Sequence, residues 1–164
     1  MAADDRALMK RAARGDEAAF AEIVERHQDR LFTVARRLLG NRADAEDVVQ
    51  RAFLQLFRRA DSYNPRWQLS TWLYRILLNA CMDELRRRRG QVELLATSQA
   101  SRPGDHLDVR RALELVPTEA RILLTLRYAG GFTYGELARI RGISINTVKS
   151  QLARGKSILR KTLG

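Results

Sequence analysis

TYGELARIRGISINTVKSQLARGKSILRK, residues 133–161, carries the clearest structural instruction in the chain. Thr133 and Glu136 stand three apart, so hydroxyl and carboxylate can each satisfy a free backbone N–H at a helix start, and a short helix is predicted to about Ile140. Arg141-Gly142-Ile143 then reads as a turn in which Gly142 takes a positive φ, and Ser144 as the N-cap of a helix running towards Lys161. Ala138 is small enough for the two helices to approach, while Ile143, Val148 and Leu152 can close a shared core. This is a helix-turn-helix pattern. In its second helix Val148, Leu152 and Leu159 occupy one face, leaving Asn146, Thr147, Lys149, Ser150, Gln151 and Arg154 outward, where such groups can reach major-groove base edges and phosphates. No acid follows Glu136, while Arg139, Arg141, Lys149, Arg154, Lys156, Arg160 and Lys161 add seven positive charges in 28 residues. A solvated basic face on a structural hairpin is the competing reading; spacing and charge sign together favour contact with duplex DNA.

Upstream, a helix is predicted near Leu107 to Leu115, and Pro117 sits where a proline is tolerated, in the first turn of the next helix, which ends at Gly130-Gly131. Residues 90–106, GQVELLATSQASRPGDH, combine Ser, Gln, Gly and Pro with little helical periodicity and read as a flexible connector. Before it, Phe20, Ile23, Val24, Leu31, Val34, Ala35 and Leu38 recur at helical steps until Gly40 and Asn41. A second helix is predicted over about Asp44 to Ala60, with Val49, Phe53, Leu56 and Phe57 as its apolar stripe. After a break at Asp61 to Pro65, a third runs from about Ser70 to Arg89 with Trp72, Leu73, Ile76, Leu77 and Leu85 inward. No alternating β pattern competes. The expected fold is all-α: two small helical domains, residues 1–89 and 107–164, joined by the flexible linker 90–106.

Composition narrows the function classes. The 164 residues carry 30 Lys+Arg against 19 Asp+Glu, a formal net charge of +11, which favours polyanionic partners. The charge is uneven, with net values of +5, −1 and +7 over residues 1–89, 90–106 and 107–164. Cys81 has no partner for a disulfide, and no Cys/His cluster has metal-ligand spacing. Met1 to Lys10 lacks a secretory apolar run, and nowhere do roughly 18 apolar residues follow one another. No membrane insertion and a cytoplasmic setting are expected. Nothing assembles a nucleophile with a base, a paired-carboxylate site or a phosphate-cradling loop, and His27 and His106 stand in separate segments, so neither a catalytic nor a metal site is expected, and no cofactor.

Beyond the helix-turn-helix, the chain resembles the extracytoplasmic-function group of the sigma-70 family. The matching stretches are Asp44-Ala-Glu-Asp-Val-Val-Gln50, Ser70-Thr-Trp-Leu-Tyr-Arg-Ile76 with Asn79, Asp83 and Arg86, then Leu115-Val-Pro117 with Arg121, Leu126-Arg-Tyr128, Glu136-Leu-Ala138, Gly142-Ile-Ser144 and Thr147-Val-Lys-Ser150. Each is weak alone; their order and separations are specific. The resemblance implies a sigma factor that binds core RNA polymerase and directs promoter recognition, DNA opening and transcription initiation.

It further implies that Asp47 and Gln50 meet the polymerase clamp helices; the usual acid after the glutamine is Arg51 here, which leaves Arg51 outside the implied contact set. The loop from Tyr63 to Leu69 and the following helix match the part that captures the unwound minus-10 element. The residue types suit such capture. Tyr63 and Trp67 offer stacking faces, Asn64 and Gln68 can hydrogen-bond a splayed base edge, and Arg75 and Arg86 can hold phosphates, with Asn79 joining them by resemblance. Trp72 and Tyr74, at helical spacing with leucines, read as core. The minus-35 duplex falls to Asn146, Thr147, Lys149, Ser150, Gln151 and Arg154. Where this chain has Gln151 and Gly155 the family often has Arg and Ala. Gln pairs with adenine where Arg prefers guanine, and a glycine inside a helix costs about 1 kcal/mol relative to Ala.

Stacking a base on an aromatic contributes about 1–3 kcal/mol and DNA stacking averages about 1.4 kcal/mol per step. One or two captured bases therefore cannot open a long bubble, and polymerase contacts must supply the rest. The resemblance also implies an anti-sigma factor as partner. The alternative is a helix-turn-helix regulator that binds duplex DNA without joining polymerase; the N-terminal stretches argue against it.

Overall fold

The computed structural model describes residues 4–94 and 111–164, among which there are helices and no strand. The chain separates into two compact units, Met1–Leu85 and Arg86–Gly164. None of the helices among the described residues is long and apolar enough to cross a membrane.

The first unit holds α1 (Asp5–Ala13), α2 (Glu17–Leu39), α3 (Arg42–Arg58), a 3-10 turn (Ala60–Ser62) and the start of α4 (Leu69–Leu94). Each of the first three helices starts on a short polar side chain that accepts a free backbone N–H. Asp4 takes that of Ala7 at 2.8 Å, Asp16 that of Ala19 at 3.2 Å and Asn41 that of Asp44 at 2.8 Å. Gly40 ends α2 at φ 80°, its N–H bonded to the Arg36 carbonyl. Leu8, Met9, Ile23, Leu31, Val34, Leu56, Leu73, Tyr74, Leu77 and Leu78 form the core, each aliphatic chain stabilising the fold by about 1.5–3 kcal/mol through burial.

Four details differ from the sequence reading. Helix α1 has no counterpart in it, because nine residues are too few for a clear apolar period. Phe57 is not part of the buried stripe: it is 46% exposed and meets Phe20 edge-on at 5.0 Å. Trp72 and Leu85 are only half-buried. Helix α4 continues through the arginine run to Leu94; of the expected linker, residues 95–106 lie outside the described residues, as do 107–110 of the helix expected after it.

The second unit contains α5 (residues 111–115), α6 (Thr118–Tyr128), α7 (Tyr134–Arg141) and α8 (Ile145–Leu163). Pro117 is the residue before α6 rather than inside its first turn. The capping box forms, with Glu136 N–H donating to Thr133 Oγ1 at 3.2 Å and Thr133 N–H to Glu136 Oε1 at 3.0 Å. Gly142 adopts φ 66°, and Ser144 caps α8 by accepting the Thr147 N–H at 3.1 Å. Leu123, Leu126, Phe132, Leu137, Val148 and Leu152 fill the core. Arg141 grips Glu119 with two nitrogens, at 2.9 and 2.7 Å, tying the end of α7 to the start of α6. Gly155 is buried, and a Cβ there would stand 2.8 Å from Leu124 Cδ1 and 3.4 Å from Ala120 Cβ. Its cost to helix propensity is therefore matched by a packing role: it lets α8 lie close on α6.

Candidate nucleic-acid interface

In the first unit the connection between the 3-10 turn and α4 is a preformed loop. Tyr63 donates its hydroxyl to the Trp67 carbonyl at 2.7 Å, the Asn64 side chain accepts the Arg66 N–H at 3.0 Å, and the Trp67 N–H reaches the Asn64 carbonyl at 3.0 Å. Burial raises the Tyr63 pKa from its ordinary value of 10.0. The loop and the first turns of α4 enclose a recess of about 180 Å³ lined by Ser62, Tyr63, Asn64, Trp67, Trp72 and Arg75. Two aromatic pairings shape it. Tyr63 stacks on Trp72 with ring centroids 5.4 Å apart, and the Arg75 guanidinium lies 4.2 Å from the Trp67 ring centre. Trp67 remains 39% exposed.

Of the residues expected to hold a single strand, Tyr63, Asn64, Trp67 and Arg75 therefore converge. Gln68 is exposed and lines a neighbouring cleft instead. Asn79 is exposed one turn further along α4, and Arg86 is exposed beyond it. Trp72, read as core, is a wall of the recess. The sequence does hold a signal for it: Trp72, Arg75, Asn79 and Arg86 fall at steps of three, four and seven, one face of a helix. Tyr74, on the opposite face, is fully buried as expected.

On α3, Asp47 and Gln50 are exposed while Val48, Val49 and Ala52 face the core. Arg51, the departure from the family pattern, places Nη2 2.7 Å from Asp47 Oδ2 and 3.8 Å from Glu84 Oε2, the latter a buried carboxylate on α4. Leu54 is also exposed on this helix.

In the second unit Asn146, Lys149, Ser150 and Arg154 are exposed along the N-terminal half of α8. Thr147 is half-buried, its hydroxyl 2.9 Å from that of Ser144. Gln151 is less outward than the sequence pattern places it. It is only half-exposed, and its Oε1 is buried with no hydrogen-bond partner among the described residues. Position 151 lies three residues after Val148 and four before Gly155, both buried, so the side chain sits on the flank of the packed seam. A two-ended amide contact with adenine needs both amide ends free, which this rotamer does not offer.

Residues 23–91 match Sigma-70 region 2 and residues 106–159 match Sigma-70, region 4. The chain is 31% identical to the ECF RNA polymerase sigma factor SigW of Bacillus subtilis, over 94% of both proteins. The structure is similar to that of the sigma factor RpoE of Bartonella quintana, solved with the anti-sigma factor NepR, at 28% identity, covering 88% of this chain and 96% of that one with a TM-score of 0.70. It is also similar to an engineered region 2 of sigmaE solved in complex with GTAAAA, at 34% identity, covering 57% of this chain and 99% of that one with a TM-score of 0.52. With both regions matched in order and a relative aligned along almost its whole length, the chain belongs to the ECF sigma factors of RNA polymerase.

Proposed function

We propose that this ECF sigma factor divides its work among three surfaces. As a sigma factor it binds core RNA polymerase and directs promoter recognition and initiation. In our reading the recess at Trp67 holds an unwound base of the minus-10 element, with Asn64 at its edge and Arg75, Asn79 and Arg86 near the strand. The observation that carries this is the juxtaposition of Tyr63, Asn64, Trp67, Trp72 and Arg75 around one recess: an aromatic platform backed by a cation suits a stacked base. Helix α8 supplies Asn146, Thr147, Lys149, Ser150 and Arg154 to the minus-35 duplex, with Gln151 at its margin. Asp47 and Gln50 on α3 meet polymerase. The chain acts by binding, not catalysis, and in the cytoplasm, where polymerase works. Residues 1–89 and 107–164 serve as the two functional domains, with 90–106 as their connector.

An anti-sigma factor is a further partner, in keeping with the NepR complex of the Bartonella relative. A bare helix-turn-helix regulator is the weaker reading because the region 2 match spans residues 23–91. Run-off transcription on a randomised promoter library, with core enzyme alone and with the chain added, tests the assignment. The expected result is transcripts only with both, sharing two upstream elements. Permanganate footprinting should show thymine reactivity with core present and none with the chain alone; extensive reactivity without polymerase contradicts the division of labour. Trp67→Ala should reduce strand capture by about 1–3 kcal/mol.

A further inference from the structure

A second cleft of about 350 Å³ opens in the first unit, lined by Asp4, Asp5, Arg6, Gln68, Leu69 and Ser70. Three of these residues come from the tip of α1, ahead of residue 23 where the region 2 match begins. Helix α1 is firmly seated: Leu8 and Met9 are buried, and it packs against α2 and the 3-10 turn that leads into the capture loop.

The charges in this cleft are not equivalent. Asp4 caps α1 through the Ala7 N–H. Asp5 Oδ2 lies 3.0 Å from His27 Nε2, and its Oδ1 3.4 Å from Arg26. Arg6 is exposed and enters no ion pair among the described residues. Helix α1 packs against the 3-10 turn just before Tyr63, and the Arg6 charge acts on the Tyr63 phenol, whose hydroxyl also holds the Trp67 carbonyl. Arg6 thus stands in the cleft beside two carboxylates that are already engaged, Asp4 by the Ala7 N–H and Asp5 by His27 and Arg26, with Tyr63 of the Trp67 recess close by. Gln68 and Ser70, an amide and a hydroxyl suited to base edges, line the same cleft.

We propose that this cleft is a second nucleotide subsite for the captured promoter strand, in which Arg6 contacts the phosphate and Gln68 and Ser70 meet the base next to the one held at Trp67. The proposal rests on the reading of the Trp67 recess as a single-strand site. A guanidinium matches phosphate oxygens in geometry as well as charge, and the helix that carries it is anchored by the buried Leu8 and Met9.

The test uses holoenzyme assembled from core RNA polymerase and the full chain, titrated with a fluorescent single-stranded oligonucleotide bearing the minus-10 sequence selected in the run-off experiment. Arg6 is exposed, so Arg6→Ala should fold normally, as circular dichroism will verify. Arg6→Ala is expected to weaken binding about fivefold and to flatten the plot of log K against log salt by about 0.7, the loss of one single-strand phosphate contact. Arg6→Lys should restore the slope. An abasic site walked along the strand should cost affinity at two adjacent positions in the parent, and at one in Gln68→Ala. An unchanged salt slope in Arg6→Ala overturns the subsite and leaves Arg6 as a brace for Tyr63. So does an abasic profile that Gln68→Ala does not alter. Trp67→Ala separates the two readings: if it weakens binding while Arg6→Ala does not, only the second subsite fails; if Trp67→Ala binds like the parent, both fail.

Discussion

Arg51 Nη2 stands 2.7 Å from Asp47 Oδ2, one helical turn back on α3, and 3.8 Å from the buried Glu84 of α4. The positive charge that replaces the family's usual acid is thus shared with two carboxylates of the same unit. Arg51 and Asp47 are 46% and 62% exposed, so the pair itself contributes at most about 1 kcal/mol to stability. Its larger consequence is at the surface, where it occupies the Asp47 carboxylate that we propose meets polymerase.

Arg51→Ala should therefore tighten binding to core enzyme, because Asp47 is released, while lowering the urea unfolding midpoint, because the buried Glu84 loses a nearby cation. Asp47→Ala should weaken that binding. A fluorescence titration of labelled chain with core polymerase measures both. Weaker core binding by Arg51→Ala would mean that Arg51, not Asp47, makes the contact.

Gly155 poses a balance of two opposed terms. Alanine gains about 1 kcal/mol of helix propensity over glycine, but its Cβ would meet Leu124 Cδ1 at 2.8 Å. That methyl ends a flexible side chain, so a small rotation relieves the overlap, and Gly155→Ala should change stability by less than about 1 kcal/mol. Gly155→Val adds branches that no such rotation clears and should lose about 1–3 kcal/mol. Urea denaturation of the two variants measures how tightly α8 approaches α6; equal stability would show slack.

The helix-turn-helix is legible down to single hydrogen bonds because its instructions are local: a hydroxyl three residues before a carboxylate, a glycine in the turn, a serine before the next helix. Most of the three long helices of the first unit can be read for the same reason. What escapes depends on neighbours distant in sequence. Helix α1 shows no period long enough to announce itself, and its meeting with the Tyr63 loop joins residues nearly sixty positions apart. Trp72 reads as core from its leucine neighbours, whereas its place is set by Tyr63 across the recess. Period alone turns Gln151 outward, but burial of Gly155 one turn on widens the packed seam to include it. No local pattern announces that a glycine will be used for close packing.

Asp5 links α1 to α2 and should impose an acid limb on stability. Its carboxyl pKa is lowered from the ordinary 3.8, first by the hydrogen bond from His27 and then by the charges of His27 and Arg26, against an opposing push from burial. A carboxyl held lower in the folded state stabilises it fully above the unfolded value and ceases to do so as pH falls through the folded one. The native chain should accordingly lose stability below about pH 4 more steeply than Asp5→Asn. Thermal melts of the two between pH 7 and pH 2.5 provide the comparison, and parallel curves would show that the contact with α2 carries no net stabilisation.

Gln151 and Lys149 separate packing from reading on the same helix. The Gln151 Oε1 is buried without a partner among the described residues, and such a group costs about 1–3 kcal/mol. Gln151→Leu, similar in size and apolar, should raise stability while leaving minus-35 base preference as it is. Lys149→Ala should leave stability unchanged, weaken duplex binding and, if Lys149 contacts a phosphate, flatten the salt dependence by about 0.9. Selection of minus-35 sequences with each variant holoenzyme distinguishes the two roles. A preference that changes with Gln151→Leu means the amide turns outward to meet a base when DNA arrives.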